Sequence, residues 1–385
     1  MHVQASRKQV RAVVIGAGII GCSAAYFLAR FGVQVVIVDA GGIGSQGSGV
    51  NAGTLAVQNK TGVLLQLALR SVNLWQELAQ SYGLSAEYLR SGGLRVAIDS
   101  AEAAELERQV ERQQALGLPV ELLTAQQLQN RFSERFGEVK AATFCPVDGY
   151  ANPRLATLSL AKLAQGHGAQ FMPYTPVTGL EAVSDTQIKV IAQERTGKKW
   201  EIESNFVINA AGVWAPYIAN MLGYTVPLHL KVQQAMVTVK TAQILTKAIT
   251  HVGERLSLKQ MRDGNLLIGG GWPGKTDTMK QEREVLLDSM LQNLQLAVKV
   301  LPAIQHLQLL RTWCGLEAET TDRLPLLGSM GYPSHFIAAV SGYGGFTVGP
   351  FIGKLIAERI ALDQQPALYA KCDPARLMND AEAVK

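Results

Sequence analysis

Apolar positions are continuous at the start of the chain and become periodic soon after. Val13, Val14 and Ile15 form an unbroken apolar run, the pattern of a parallel strand covered on both faces. Residues 21–31 follow a helical period, and residues 35–38, VVIV, are again continuous. The turn between strand and helix carries Gly16, Gly18 and Gly21 in GxGxxG spacing, with Ile19 and Ile20 between the last two. Gly16 permits the tight turn, Gly18 lets the backbone approach a pyrophosphate, and Gly21 lets the helix pack closely on the strand. The helix then points its positive N-terminal end at the phosphates. Gly32 closes that helix, and Asp39, followed by Ala40, ends the second strand, where a carboxylate takes the ribose hydroxyls about 20 residues past the glycines. A glycine-rich turn in an ordinary α/β domain leaves Asp39 unexplained, so the whole run predicts a dinucleotide site.

Further along, residues 40–55, AGGIGSQGSGVNAGTL, are glycines and small polar residues suited to wrapping backbone around a ligand. Residues 64–80 predict an amphipathic helix. From 91 to 141 the character changes. SGGLRVAID predicts a strand, 100–116 a charged helix capped by Ser100 with a solvated face at 102–112, and Thr124 the cap of a short helix. Asp148 and Gly149 make a turn, and Asn152 and Pro153 start another helix. Residues 175–180 read as a strand, and 206–209 as a buried strand ending in Ala210, Ala211 and Gly212, small residues at the end where parallel sheets bind ligands. VQQAMVTV and GNLLIGGGW alternate like an antiparallel sheet, with a hairpin at Asp263 and Gly264, and 282–300 predicts an amphipathic helix. The chain closes with a strand at 336–340, a glycine-rich turn at 341–345 and a helix at 347–361.

The length of 385 residues exceeds the roughly 250–300 that one core usually holds, so two domains are expected. Hydrophobic residues at 48% and charged residues at 17% describe a globular chain with an apolar surplus, a composition that fits a large subunit interface. The net charge of +5 comes without a Lys/Arg block or a basic aromatic-rich stretch, so nucleic acid is not indicated as a partner and anionic small molecules are compatible. Cys22, Cys145, Cys314 and Cys372 are scattered without CxxC or metal spacing, which implies reduced structural thiols and no metal. Residues 1–9 lack the apolar core of a signal peptide, and the most apolar stretch, 12–38, is interrupted by Arg30 and glycines. The expectation is a cytoplasmic protein without a transmembrane helix.

The motif at 16–21, Asp39, and the run Ser48, Gly49, Asn51, Ala52, Gly53, Thr54, Leu55 resemble the N-terminal signature of FAD-dependent amine oxidoreductases of the D-amino-acid oxidase type. That family includes glycine oxidase, sarcosine oxidase, D-amino-acid dehydrogenase and the β subunits of heteromeric proline, hydroxyproline and opine dehydrogenases. NAAGVWA at 209–215, a DGxxxP segment at 148–153, and RTWCGLEAETTDRLPLLG with SGYGGFTVGP extend the resemblance over nearly the whole chain. It implies an α/β fold: a Rossmann-like FAD-binding domain of glutathione-reductase type, with a discontinuous α+β substrate domain built on an antiparallel sheet. The expected division is a tail at 1–9, an FAD-binding domain at 10–90, 142–225 and 305–365, a roof domain at 91–141 and 226–304, and a tail at 366–385. By the same resemblance Val177 lies against adenine. Ala211, Gly212 and Trp214 lie near the cofactor, as do Gly315, Gly342, Gly344, Gly345, Phe346 and Thr347.

The departures from the family pattern bear on substrate. Asp39 stands where the family usually has Glu. Simple amino-acid oxidases of the family carry an arginine two places after the glycine equivalent to Gly315, to grip the substrate carboxylate; here that place is Glu317. A carboxylate does not hold another unless one is protonated, so Glu317 either touches a different substrate group or turns to a cation such as Arg311 or Arg323. The family's GH pair is Gly342 and Tyr343, and its GQ pair is Gln233 and Gln234. Tyr343, Glu317 and Gln234 are the candidate catalytic residues. No match to a covalent attachment residue is found, so the FAD is expected to be non-covalent. The resemblance leans to the opine and hydroxyproline β subunits. It implies a partner FAD-containing α subunit, a small iron–sulfur subunit and an FMN at a subunit interface. The implied reaction is hydride removal from the carbon beside a neutral secondary amine to flavin N5 in a dry pocket, with positioning as the main catalytic contribution. A stand-alone oxidase for glycine, D-amino acids or sarcosine using oxygen, and a non-catalytic electron-relay flavoprotein, are the competing readings.

Overall fold

The continuous apolar runs become the central sheet of the first of two units. In this computed structural model, strands Gln170–Met172, Gln34–Val38, Arg11–Ile15, Phe206–Asn209 and Phe336–Val340 lie side by side in that order, all parallel. Leu326–Ser329 is added antiparallel at the edge. The structure describes residues 11–277 and 282–378, so the expected N-terminal tail, 1–9, and residues 379–385 of the C-terminal one lie outside the described residues. Register pairs Ile15 with Val38 on one side and Asn209 on the other, so the three strands end level with one another. Helix Ile19–Arg30 packs against helix Gly345–Leu362, and the approach depends on missing side chains. A Cβ at Gly353 would stand 2.5 Å from the Ala24 nitrogen, and one at Gly349 2.7 Å from Ile19 Cγ2. Strands Val177–Ser184, Gln187–Gln193 and Lys199–Ser204 form a separate antiparallel sheet whose inward residues Ile188, Val190 and Ala192 are fully buried with Val13 and Val38. The described parts of Met1–Ser45, Thr157–His229 and Ala318–Lys385 make up this unit.

The second unit, Gln46–Ala156 and Leu230–Glu317, is built on an eight-stranded mixed sheet. Its order is Leu309–Glu319, His229–Thr238, Leu266–Gly269, Ser257–Gln260, Ala248–His251, Gly93–Ala97, Ala141–Cys145, Glu121–Thr124. The pair Gly93–Ala97 and Ala248–His251 is parallel, and the other pairings with a recorded register are antiparallel. The hairpin between Ser257–Gln260 and Leu266–Gly269 turns at Asp263 and Gly264, where Gly264 has φ +96°. Leu296, Ala297 and Val300 of helix Leu287–Val300 join Leu94, Ile249, Leu258 and Ile268 in one apolar core. Residues 46–90 and 142–156 belong to this unit, whereas sequence pattern alone groups them with the nucleotide fold. The physical reason is local: strand Thr54–Leu55 pairs with Gly149–Tyr150, and the Val57 amide donates to buried Asp148.

Four local expectations change. The cap of helix Ser100–Ala115 is Asp99, whose carboxylate accepts from the Glu102 amide at 2.8 Å, not Ser100. Glu102 is not simply solvated, because its carboxylate meets His251 Nε2 at 3.0 Å and the Ile98 amide at 2.8 Å. Helix 282–300 begins only at Leu287; Glu282–Glu284 is a short strand paired with Lys275–Asp277. Residues 366–378 are not a loose tail but fold into the turns Ala367–Ala370 and Ala375–Met378, held by Arg376 on Asp322 at 2.7 Å. Among the described residues, no helix is long and apolar enough to cross a membrane.

Candidate functional site

In the first unit the sequence-predicted residues gather at the carboxyl ends of four adjacent parallel strands. Gly16 follows the first strand with φ +108°, and its amide donates to the Val38 carbonyl at 2.9 Å. A Cβ at Gly16 would stand 2.4 Å from the Ala210 carbonyl oxygen, and one at Gly21 1.9 Å from the Gly16 oxygen, so the turn stays free of side chains. Helix Ile19–Arg30 begins immediately after Gly18, burying Ile19 and Ile20. Asp39 ends the next strand, and its two carboxylate oxygens accept from the Ala17 amide at 2.6 Å and the Gly41 amide at 2.7 Å. Those bonds fix the carboxylate and leave each oxygen a further lone pair for a hydroxyl. The Thr175 amide donates to the Asp39 carbonyl at 2.8 Å, bringing buried Val177 alongside, while Ala40 is exposed.

Strand Phe206–Asn209 leads into Ala210, Ala211 and the short 3-10 helix Gly212–Trp214, tied back where the Ala210 amide donates to the Ile15 carbonyl at 2.9 Å. Trp214 is 39% exposed and so is not a core aromatic. After Phe336–Val340, Gly342 is so enclosed that a Cβ would lie 2.2 Å from the Leu324 oxygen, and Gly344 adopts φ +60° ahead of helix Gly345–Leu362. Phe346 and Thr347 are buried in its first turn. Tyr343 lies under the Arg323 guanidinium, 4.5 Å from ring centroid to carbon. Arg323 itself has φ +60° and stands 3.8 Å from Glu319.

In the second unit the run 47–55 is a scaffold of its own. Ser48 and Gly49 sit in the one-turn helix Gly47–Val50. Asn51 Nδ2 donates to the Gly47 and Ser48 carbonyls, both at 3.0 Å, and its Oδ1 accepts from the Gly53 amide at 2.7 Å, bending the chain past Ala52. Gly53 has φ +64°, and a Cβ there would meet the Ala151 oxygen at 2.3 Å and Lys259 Nζ at 2.7 Å. Thr54 Oγ1 lies 2.8 Å from Ser257 Oγ. Gly315 joins the same place: a Cβ there would reach Val50 Cγ2 at 2.9 Å, and Trp313 Nε1 donates to the Val50 carbonyl at 2.7 Å. The structure therefore brings Ser48, Gly49, Asn51, Gly53 and Gly315 together. Gln234 is buried, and both ends of its amide meet the Leu286 backbone, at 3.3 and 3.1 Å. Those bonds account for the side chain as a clamp on the segment before helix Leu287–Val300.

Sequence reasoning missed a buried polar group behind this scaffold. Asp148 accepts from the Val57 amide at 2.7 Å and from Gln58 Nε2 at 2.9 Å, Thr143 donates to Gln58 Oε1 at 2.5 Å, and Arg95 donates to the Gln58 carbonyl at 3.0 Å. Burial raises the Asp148 carboxyl to about 6, against the opposing pull of the Val57 and Gln58 donors and of Lys60. Lys60 donates to the Ala56 carbonyl and, at 2.8 Å, to Asn59 Oδ1. Its ammonium falls to about 8 because burial outweighs the attraction of Asp148, Glu254 and Glu317. Glu317 is thus within the field of a cation from residue 60. Lys259 is buried at 1% exposure, and burial alone drops it to about 7.

A family model described as FAD dependent oxidoreductase (DAO) matches residues 11–359, and the chain belongs to that family. The parallel sheet with its glycine turn is accordingly a Rossmann-like FAD-binding fold. The chain is 25% identical to human mitochondrial dimethylglycine dehydrogenase over 96% of its length, but spans only 44% of that protein. It is 26% identical to an opine oxidase subunit of Agrobacterium tumefaciens (strain Ach5), covering 92% of this chain and 94% of that one. The crystal structure of L-proline dehydrogenase from P. horikoshii superposes with a TM-score of 0.83 at 26% identity, over 97% of this chain and 98% of that one.

Proposed function

We propose that this chain is an FAD-dependent dehydrogenase for a secondary amino acid of opine, hydroxyproline or proline type, acting as the β subunit of a heteromeric complex. The observation that carries the reading is the end-to-end similarity to an opine oxidase subunit, joined to a glutamate, Glu317, at the place where simple amino-acid oxidases hold a carboxylate with arginine. Similarity to one subunit of an oxidase supports partner chains, which we assign as an FAD-containing α subunit and a small iron–sulfur subunit, with an FMN at an interface. The bare turn at Gly16 and the fixed carboxylate of Asp39 suit a dinucleotide, and Gly16, Gly18, Gly21 and Asp39 are assigned to its pyrophosphate and ribose.

Bound FAD supplies the hydride acceptor, N5 of its ring. The residues of the chain contribute binding, orientation and exclusion of water. Gly342 to Thr347 carry the N-terminus of helix Gly345–Leu362, whose amides favour negative charge. The run Ser48 to Leu55 is assigned to the ring's edge by its Asn51-braced backbone. Tyr343 and Glu317 are assigned to the substrate. Because the substrate amine must be neutral to release hydride, a carboxylate at 317 has to be kept from capturing it as an ammonium, and the neighbouring charge of Lys60 opposes that capture.

The test is anaerobic. The protein, purified with any subunits that accompany it, is mixed with opines, proline, both hydroxyproline stereoisomers, sarcosine and glycine while flavin absorbance is followed. Bleaching by one secondary amino acid, slow recovery in air and fast recovery with a dye acceptor is the expected result. Bleaching by glycine with fast recovery in air would replace this reading with a stand-alone oxidase. Absence of bleaching with flavin and partners present would leave electron relay.

A further inference from the structure

Lys259 has no role in the reaction described above, and its surroundings call for one. It lies in strand Ser257–Gln260 with Ser257, which meets Thr54, on the same face. Its Nζ is fully enclosed and has no hydrogen-bond partner among the described residues. Isolated amines are not normally buried this way, because an ammonium with no acceptors around it forfeits its hydration. From the strand Gly149–Tyr150, the Tyr150 ring faces it at 5.3 Å. Arg262 and Glu87 act on Tyr150, and burial raises that phenol. From the run 48–55 Gly53 approaches it, with no side chain to fill the space: a Cβ there would stand 2.7 Å from Nζ. No carboxylate contributes to the shift of Lys259, which comes from burial alone. The amine is therefore poised to be neutral near pH 7, and a negative charge arriving on the far side of Gly53 would draw a proton onto it.

We propose that Lys259 is the proton acceptor that accompanies reduction of the bound flavin, neutral while the ring is oxidised and an ammonium once the ring carries negative charge. The inference rests on the assignment of residues 48–55 to the flavin made above. The balance is simple. Hydride from the substrate brings two electrons and one proton to the ring, leaving it anionic; Nζ then takes one further proton from solvent, and no bond to Lys259 is made or broken otherwise. Lys259 touches neither substrate nor reacting atoms in this account and acts through its field across the Gly53 backbone.

The experiment measures the flavin midpoint potential by absorbance against redox dyes, from about pH 6 to about pH 9, on the FAD-loaded protein with its accompanying subunits. Wild type is expected to follow the slope of one proton per two electrons below about pH 7 and to steepen to two protons above it. Lys259→Met is expected to keep the one-proton slope throughout. Lys259→Arg, permanently charged, is expected to keep that slope too, with the potential raised at alkaline pH relative to Lys259→Met. It serves if the methionine variant does not fold. A wild type that never steepens, or variants that still do, overturns the proposal. A wild-type chain that retains no FAD overturns the flavin assignment itself, an outcome seen in the spectrum before any titration begins.

Discussion

Gly21 concentrates the demands of the nucleotide turn in one hydrogen atom. Its missing Cβ would stand 1.9 Å from the Gly16 oxygen, in the turn it must close, and 3.2 Å from Val14 Cγ1, in the strand before it. Gly21→Ala therefore has to push the helix off the strand, and overpacking of this kind costs about 1–3 kcal/mol. Because the strain falls on the turn assigned to the phosphates, the expected result is FAD affinity weakened by about tenfold or more, read from the flavin-to-protein absorbance ratio after gel filtration. These glycines and Asp39 were legible in the sequence because each does something only its residue type does: a φ of +108° at Gly16, a charge at the end of an apolar strand at Asp39. Lys259 and Asp148 were not. Whether a charged residue is buried depends on neighbours distant in the chain, here Tyr150 and Gly53 for Lys259 and Val57 for Asp148, and no local pattern encodes them.

Between elements, the tightest fit is helix against helix. Gly349 and Gly353, one turn apart, present a bare stripe to Ile19, Ser23 and Ala24, and both helices lie in the first unit. Gly353→Val inserts a branched side chain where even a Cβ would be 2.5 Å from the Ala24 nitrogen. A loss of about 2–3 kcal/mol is expected, measured as a lower denaturation midpoint of the apoprotein. Elements with continuous apolar runs, such as Phe206–Asn209 and Phe336–Val340, were read correctly because burial on both faces leaves a signature inside the segment itself. Ends were harder. Periodicity sets the phase of a helix and not its first residue, so Asp99 and Ser100, two adjacent residues able to cap, could not be told apart. The start of helix Leu287–Val300 moved for a similar reason, since Glu282–Glu284 pairs with a strand that only folding brings beside it.

At the scale of the whole molecule, the buried ionisable groups set how stability follows pH. Asp148 is raised from 3.8 to about 6 by burial, so the folded state binds more protons than the unfolded one in that range, and its contribution, complete below pH 3.8, is lost as pH rises through 6. Lys259 is lowered from 10.5 to about 7 and Lys60 from 10.5 to about 8, again by burial. Their contributions are complete above pH 10.5 and are lost as pH falls through those lower values. The expected profile of thermal midpoint against pH has a shallow minimum between about 6 and 7, with a rise on the alkaline side. Lys259→Met should flatten that rise and raise the midpoint at pH 7, a gain on the order of 1–3 kcal/mol. A midpoint that falls steadily from pH 7 to pH 9 in wild type would contradict it.

The segment after the last long helix guards the margin of the nucleotide sheet. Leu327, in the outermost strand Leu326–Ser329, turns its amide away from the sheet and donates it to the Cys372 carbonyl at 2.9 Å, while Arg376 clasps Asp322 and the Leu324 carbonyl. An edge strand with bare amides invites pairing with another copy of itself. A chain ending at Asp363 is accordingly expected to self-associate, detectable by light scattering on standing, even where its flavin spectrum is unchanged. The turns Ala367–Ala370 and Ala375–Met378 are thus expected to serve solubility, a property separate from any chemistry the chain performs.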